Sequence, residues 1–110
     1  MTQALLILTN MPDAAGAEAL ARSLVQQGLA ACVNILPAVK SVYRWQGALE
    51  QAEETTLLIK TGAGRYDELE TALRAAHPYA VPEIIALPIV AGLPAYLDWI
   101  AQECAKDVKI

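Results

Sequence analysis

Cys32 and His77 are the side chains of this sequence best suited to bind a metal ion. The chain has one histidine and two cysteines, Cys32 and Cys104. A thiolate and an imidazole suit a soft or borderline ion such as copper or zinc, but two ligands leave a site incomplete unless a neighbouring subunit adds more. Each residue also has a structural interpretation, Cys32 as a small core residue and His77 as a group beside a helix C-terminus. Both alternatives stay open.

The nucleophilic and acidic residues of this sequence give little support for a catalytic site. A Ser-His-Asp arrangement could combine His77 only with Ser23 or Ser41, which lie in a predicted helix and a predicted hairpin, away from any nucleophile elbow. Glu53 and Glu54 are adjacent in a predicted strand, so their carboxylates point to opposite faces and do not work as an acid–base pair. We therefore expect that the protein is not an enzyme.

The elements that must position these residues alternate between strands and helices along residues 1–110, which we predict to be a single domain. Strands are predicted at 4–9, 31–36 and 84–90, a long hairpin at 39–60, and helices from 10–13 to 28, at 66–76 and at 93–100. The order β-α-β-β-α-β, followed by a C-terminal helix, is typical of a ferredoxin-like sandwich, an α+β fold. The extended hairpin is an addition to that plan.

Turn residues and prolines refine the predicted sheet. Gln46-Gly47 suits a two-residue hairpin turn, and Pro37 is expected to close the second strand. The turn predicts the pairs Trp45–Ala48, Arg44–Leu49 and Lys40–Glu53. Because proline belongs at sheet edges, Pro37 and Pro88 place the second and fourth strands at the edges and the first and third at the centre.

The first and third strands are apolar on both faces, as in Leu5-Leu6-Ile7-Leu8 and Leu57-Leu58-Ile59. Helices cover only one face of a ferredoxin-like sheet, so another surface must cover the second face. A long hairpin that extends beyond the sheet is also marginal by itself. The pattern therefore predicts that the sheet and the hairpin pack against further copies of the chain.

Composition limits the classes of partner. The chain is 55% hydrophobic and 18% charged, with a formal net charge of −4, which excludes intrinsic disorder and argues against nucleic acid as a partner. No stretch is long enough for a membrane helix, no secretory signal is predicted, and two cysteines without a disulfide framework favour the cytoplasm. The low charge reflects either compositional drift or a buried oligomer interface, and the apolar strands favour the interface.

Several motifs together resemble the CutA family of divalent-cation tolerance proteins. They are Ala31-Cys32-Val33-Asn34-Ile35, Ser41-Val42-Tyr43-Arg44-Trp45-Gln46-Gly47, residues 54–61, His77-Pro78-Tyr79-Ala80-Val81-Pro82-Glu83-Ile84 and Tyr96-Leu97-Asp98-Trp99. The resemblance implies a ferredoxin-like subunit in a cytoplasmic homotrimer that is built through hairpin residues such as Tyr43, Trp45 and Gly47. It also implies a role in tolerance of copper and other divalent cations, by weak ion binding at or near subunit interfaces.

The same resemblance also implies which side chains of this chain could bind a metal ion. Some family members have a cysteine in place of Thr9 and a second histidine in place of Ala76, and Ala80 replaces a usual acid, so only His77 remains of the copper site that the resemblance implies. Cys32 matches a family motif, but a metal contact does not follow from that match, and it stays a candidate ligand by its chemistry alone. Copper or another divalent cation is thus a candidate ligand that folding does not require.

Lys60, Tyr79 and Glu83 are expected to line an inter-subunit cleft. The alternative function is a signalling or scaffold trimer, similar to PII proteins, that binds a small ligand or a protein partner there.

Overall fold

The strands and helices alternate as the sequence predicts, in a computed structural model that describes residues 3–105. The ends of the predicted domain, 1–2 and 106–110, lie outside the described residues. The elements are β1 (Ala4–Met11), α1 (Ala14–Gln26), β2 (Cys32–Trp45), β3 (Ala48–Gly62), α2 (Tyr66–Ala76), β4 (Ile85–Pro88) and α3 (Pro94–Glu103), with a short 3-10 helix at Ala63–Arg65. The result is a mixed α+β fold with a four-stranded antiparallel sheet and three α-helices within the described residues.

The strand order in the sheet is β2-β3-β1-β4, and every neighbouring pair is antiparallel. β1 and β3 are therefore central, and β2 and β4, which contain Pro37 and Pro88, lie at the edges. This confirms the placement predicted from the prolines, which have no N–H to donate to a neighbouring strand and therefore belong at sheet edges.

The β2–β3 hairpin has the predicted register. Trp45 pairs with Ala48, Arg44 with Leu49 and Lys40 with Glu53. Gln46 and Gly47 both have positive φ, 50° and 82°, as a type I′ turn requires at its two central positions. Gly47 adopts that backbone without strain, and the turn fixes which side chains of the hairpin share a face.

The prediction that Pro37 closes the second strand is wrong. β2 continues to Trp45 through a bulge, because the register shifts between Leu36 and Val39. Pro37 and Ala38 form the bulge at the outer edge of the sheet, where a missing N–H costs no ladder bond. Ala38 has φ of 60° there, a left-handed conformation that is unfavourable for a residue with a Cβ.

The predicted start of the first helix is also wrong. Asn10 and Met11 belong to β1, because the ladder with β3 extends as far as the Met11–Thr55 pair. The helix starts after Asp13, whose Oδ1 accepts a hydrogen bond from the Gly16 N–H at 2.7 Å and so caps the first turn. This shift places Asn10 in the sheet and not at the predicted helix start.

The fourth strand is shorter than the predicted 84–90. Its ladder to β1 runs from Ile85 to Pro88, after which the Ile89 N–H donates to the Ala4 carbonyl at 3.0 Å. Pro88 interrupts regular pairing because it has no N–H. The segment that precedes β4 is irregular, and it is this segment that meets the hairpin.

The two faces of the sheet are both apolar, as predicted. One packs on α1 and α2 and includes the fully buried Ile7, Leu57 and Ile59. The opposite face, which we call the open sheet face, carries Leu6, Leu8, Leu36, Leu58, Ile85 and Leu87 by the register of the ladders. Leu36, Ile85 and Leu87 are exposed in the single chain.

Helix α3 packs at one end of the sheet, where Ile100 is buried with Ala4 and Ala31. Pro94 opens the helix at a position where its missing N–H costs no hydrogen bond. Within residues 3–105, no helix has the length and apolar character needed to cross a membrane.

Candidate functional site

A cavity of about 730 Å³ lies between the β2–β3 hairpin and the segment 78–83 that follows α2, and we call it the hairpin cleft. Its lining consists of Asn10, Ser41, Val42, Tyr43, Trp45, Glu54, Pro78, Tyr79, Ala80, Val81 and Glu83. The volume is in the range of ordinary small-molecule sites. The bulged, extended hairpin supplies one wall, and the irregular segment before β4 supplies the other.

Glu54 is the buried acid of the hairpin cleft. Its residue is only 8% exposed, and its Oε2 accepts a hydrogen bond from the Tyr79 hydroxyl at 2.8 Å. Within the described part of the chain, Oε1 of Glu54 has no hydrogen-bond partner and is not fully buried. A carboxylate oxygen that is available inside a cavity can accept a hydrogen bond from a positively charged donor.

The pKa of Tyr79 reflects its burial and its contact with Glu54. Burial, followed by the hydrogen bond and the negative charge of Glu54, raises the pKa of Tyr79 to about 12. Loss of the phenol proton would place a second negative charge beside the carboxylate, so the phenol stays a donor over the physiological range.

Asn10 connects Glu83, the second acid of the hairpin cleft, to strand β3. Its Nδ2 donates to Oε1 of Glu83 at 3.1 Å, while its Oδ1 accepts from the Thr56 hydroxyl on β3. Glu83 is exposed at the rim of the cleft. Because β1 extends beyond its predicted end, Asn10 sits where its amide can orient this carboxylate.

His77 holds the segment that carries Tyr79. Its Nε2 lies 2.7 Å from the Asn10 carbonyl, which can only accept, so Nε2 carries the proton. Its Nδ1 accepts from the Tyr79 N–H at 3.2 Å. Both ring nitrogens of this 8% exposed side chain are therefore occupied, and His77 acts as a structural brace within the subunit.

Cys32 lies elsewhere, on the open sheet face. It pairs with Lys60, which pairs with Leu6, whereas His77 contacts Asn10 four residues farther along β1. Four strand residues span about 13 Å, so the structure does not bring the two predicted metal ligands together in one subunit.

Lys60 lies beside Cys32 on the open sheet face. Its Nζ donates to the Asn34 carboxamide and lies 4.0 Å from the Cys32 sulfur. Of the three residues predicted to line an inter-subunit cleft, Tyr79 and Glu83 both line the hairpin cleft of the single chain, whereas Lys60 is not part of that lining. The inter-subunit cleft itself stays a prediction.

The residues that the structure describes in this chain do not fit a resident metal ion. Among residues 3–105, no group of three or more His, Cys, Asp or Glu side chains is arranged to hold one. Thr9 is fully buried, and its hydroxyl finds no hydrogen-bond partner in that part of the chain. Ala76 and Ala80 supply no donor atoms.

Sequence reasoning missed Glu54 and Asn10. The strand pattern excludes Glu54 from an acid–base pair because the carboxylates of Glu53 and Glu54 point to opposite faces. That geometry holds, and it is what buries Glu54 while Glu53 stays exposed. The burial of a single acid depends on which strand face meets the segment 78–83, and local pattern does not contain that information. Asn10 falls in the predicted helix start, so the sequence gives no sign of its contact with Glu83.

Comparisons with known proteins give one consistent result. The model of a family described as CutA1 divalent ion tolerance protein matches residues 5–103. The divalent-cation tolerance protein CutA of Thermus thermophilus is 45% identical over 96 residues, which are 87% of this chain and 93% of that protein. The crystal structure of CutA from Xylella fastidiosa is 48% identical, with a TM-score of 0.89 over 92% of this chain and 97% of that one. A CutA from Archaeoglobus fulgidus, described as periplasmic, is 38% identical, with a TM-score of 0.88 over 92% and 98% of the two chains.

Proposed function

Because the chain belongs to the CutA1 divalent ion tolerance protein family, we propose that it acts in cation tolerance as a non-enzymatic homotrimer that binds a small ligand in the hairpin cleft. The observation that carries the proposal is the Glu54 carboxylate, which is buried in the wall of a cavity of about 730 Å³ and whose Oε1 has no hydrogen-bond partner within residues 3–105. The relatives are named as tolerance proteins and not as enzymes.

The trimer is supported by the open sheet face. Each subunit is proposed to be a ferredoxin-like sandwich, a topology that the order β2-β3-β1-β4 supports. Its helices leave the exposed Leu36, Ile85 and Leu87 uncovered, and β2 has a free edge along the hairpin that includes Tyr43 and Trp45. Burial of both against two further copies removes apolar surface from water and pairs the edge.

Multi-angle light scattering on the purified protein tests the trimer. We expect three times the subunit mass of 11.8 kDa. The substitution Leu58→Lys places a charge in the middle of the open sheet face and should lower the mass to that of smaller species. The matched control Val25→Lys changes an exposed residue of α1, on the other side of the sheet and away from the hairpin tip. A monomeric unsubstituted protein would contradict the proposal.

A thermal-shift screen tests ligand binding in the cleft. The panel contains small cations, anions, neutral metabolites and divalent metal salts, since any ligand that binds only the folded state raises the melting temperature. A hit should lose its effect in Glu54→Gln and keep it in Glu53→Gln, which removes the same charge from the opposite face of β3. A panel without a single hit that depends on Glu54 would overturn ligand binding in this cleft.

Weak binding of a copper-like ion as cargo is the second candidate, and Cys32 favours it. This free thiol is partly accessible on the open sheet face, where a trimer brings subunits together. Thiolates are soft ligands that select copper-like ions. His77 would first have to give up two hydrogen bonds. We propose that copper or another divalent cation binds with ligands from more than one subunit and that folding does not require it.

Copper titration with metal analysis tests which of Cys32 and His77 binds the ion. Cys32→Ala should weaken binding, whereas His77→Ala should leave copper affinity unchanged. An equal loss of copper affinity in both variants would show that His77 is also a ligand of the ion. The absence of copper binding in the unsubstituted protein would remove this second candidate and leave the cleft proposal unaffected.

A cytoplasmic location is part of the proposal. It is supported by two free thiols, Cys32 and Cys104, which suit a reducing compartment. The chain itself is its proposed partner, and its acidity disfavours nucleic acid and the negatively charged surface of a membrane. Because a relative is described as periplasmic, cell fractionation is the decisive measurement, and recovery in the periplasmic fraction would overturn the assignment.

A further inference from the structure

We propose that the hairpin cleft selects a small organic cation, a protonated amine or a quaternary ammonium group, as its ligand. This inference rests on the proposed function and names the chemical class that the same cleft takes. Its basis is the combination of two carboxylates with three aromatic rings around one cavity of about 730 Å³.

The charge of the lining selects against anions. Glu54 and Glu83 are the charged members of the lining, and none of its residues is Lys, Arg or His. Glu54 is 8% exposed, and its Oε1 is available within the described residues. A buried carboxylate is costly unless a positive partner neutralises it. A phosphate or carboxylate ligand would add like charge to this wall, whereas a cation would relieve it.

The aromatic residues point to an organic cation and not to a bare metal ion. Tyr43, Trp45 and Tyr79 line the cavity, and the faces of such rings attract an ammonium group. Carbon groups on the ligand also gain contact with the apolar Val42 and Val81. A bare divalent ion needs several oxygen ligands, and the two acids of the lining are too few.

The hydrogen bonds around the cleft fix this arrangement before a ligand binds. The Tyr79 hydroxyl is turned toward Oε2 of Glu54, and His77 holds the Tyr79 N–H. Asn10 orients Glu83 at the rim. Preorganised groups lose little conformational entropy on binding, which favours a small ligand with few contacts.

The test is calorimetric titration of the full-length protein with choline and with 3,3-dimethylbutan-1-ol, its uncharged carbon analogue of nearly the same shape. Adenosine monophosphate serves as the anionic probe. Charge attraction and ring contact predict that choline binds at least about tenfold more tightly than the neutral analogue. Equal affinity of the two, or a preference for the nucleotide, overturns the organic-cation class.

Variants locate the binding site. Glu54→Gln and Trp45→Leu should each weaken choline binding about tenfold, while Glu53→Gln should leave it unchanged. Trp45 is 46% exposed, so its variant still tests the proposal if Glu54→Gln fails to fold. Light scattering checks that each variant keeps the unsubstituted mass. Choline binding that both cleft variants leave intact would also overturn the proposal.

The outcomes separate this inference from the proposed function. Binding of the neutral or anionic probe that Glu54→Gln changes would keep a ligand in the cleft and reject only the cation class. If none of the three probes binds, the cation class is rejected, and the wider thermal-shift panel decides whether the cleft binds any ligand.

Discussion

The Tyr79 hydroxyl donates a hydrogen bond of 2.8 Å to Oε2 of Glu54 and thereby joins the segment after α2 to the β2–β3 hairpin. The two residues are 25 positions apart in sequence, and this contact closes one side of the hairpin cleft. The phenol donates this bond only while it keeps its proton, so the bond links the shape of the cleft to charge.

The titration of Tyr79 measures this contact. We expect Glu54→Gln to lower the pKa of Tyr79 from about 12 toward its usual value of 10.0, because the negative charge and the strong acceptor are removed. Carbon-13 NMR of the tyrosine ring carbons across alkaline pH resolves the four tyrosines of the chain. An unchanged Tyr79 titration in the variant would show that burial alone sets the pKa.

The same shift predicts how stability depends on pH. As the pH rises from 10 toward 12, the unfolded chain has released the Tyr79 proton while the folded chain keeps it, so folding stability falls across this window and is fully present below it. Urea unfolding at a series of alkaline pH values should show a shallower loss for Tyr79→Phe than for the unsubstituted protein. Parallel curves would contradict the prediction.

Thr9 should be replaceable with a gain in stability. Its hydroxyl is fully buried on the helix-facing side of β1 and finds no partner within the described residues, so Thr9→Val should raise the free energy of unfolding by about 1 kcal/mol. Thr61→Val is the matched control. The Thr61 hydroxyl, also fully buried, donates to the Leu29 carbonyl at 2.7 Å, and its loss should cost about 1 kcal/mol. Chemical denaturation of both variants checks the opposite signs.

Ala38 carries backbone strain in the β2 bulge. With φ of 60°, its Cβ is unfavourably close to the neighbouring carbonyl oxygen, and Ala38→Gly should raise the free energy of unfolding by up to about 1 kcal/mol. Gly47→Ala, which introduces the same kind of strain at φ of 82°, should lower it by a similar amount. A destabilised Ala38→Gly variant would mean that the flexibility of glycine in the unfolded chain outweighs the relief of strain.

His77 should prove structural in this protein. His77→Ala leaves the Asn10 carbonyl and the Tyr79 N–H without their partner, so we expect a loss of about 1–3 kcal/mol in the free energy of unfolding. The segment that carries Tyr79 should loosen at the same time, and hydrogen exchange of the Tyr79 amide measures this directly. Slow exchange that the substitution does not change would contradict the brace.

Much of the fold could be predicted because it depends on local chemistry. Gln46-Gly47 suits a type I′ turn, and that turn sets the register as far as the Lys40–Glu53 pair. Pro37 and Pro88 mark the edge strands for the same local reason, a missing N–H. The errors at Pro37 and at the start of α1 lie where pairing with a neighbouring strand overrides a local signal. β3 pairs with Met11 and draws it out of the predicted helix start, and it carries β2 past Pro37.

The candidate site could be predicted only in part. Tyr79 and Glu83 lie close in sequence on the segment between α2 and β4, so their joint presence in the cleft follows from one short segment. Lys60 belongs to a motif of the same family resemblance, but the strand register places it on the open sheet face beside Cys32. Glu54 begins that same motif, but nothing in the sequence marks it as buried, because its burial depends on which side of the hairpin the segment 78–83 covers.

By itself the sequence determined the order of elements, the edge and central strands, the hairpin register and the apolar character of both sheet faces. These follow from side-chain period, proline chemistry and turn conformation, each of which acts over a few residues. Only the tertiary structure decided that His77 is a brace with both nitrogens occupied, that Cys32 lies far from it, and that Glu54 faces Tyr79 across a cavity. Those relationships join residues that are distant in the chain, and the packing of helices and strands around the whole core sets them.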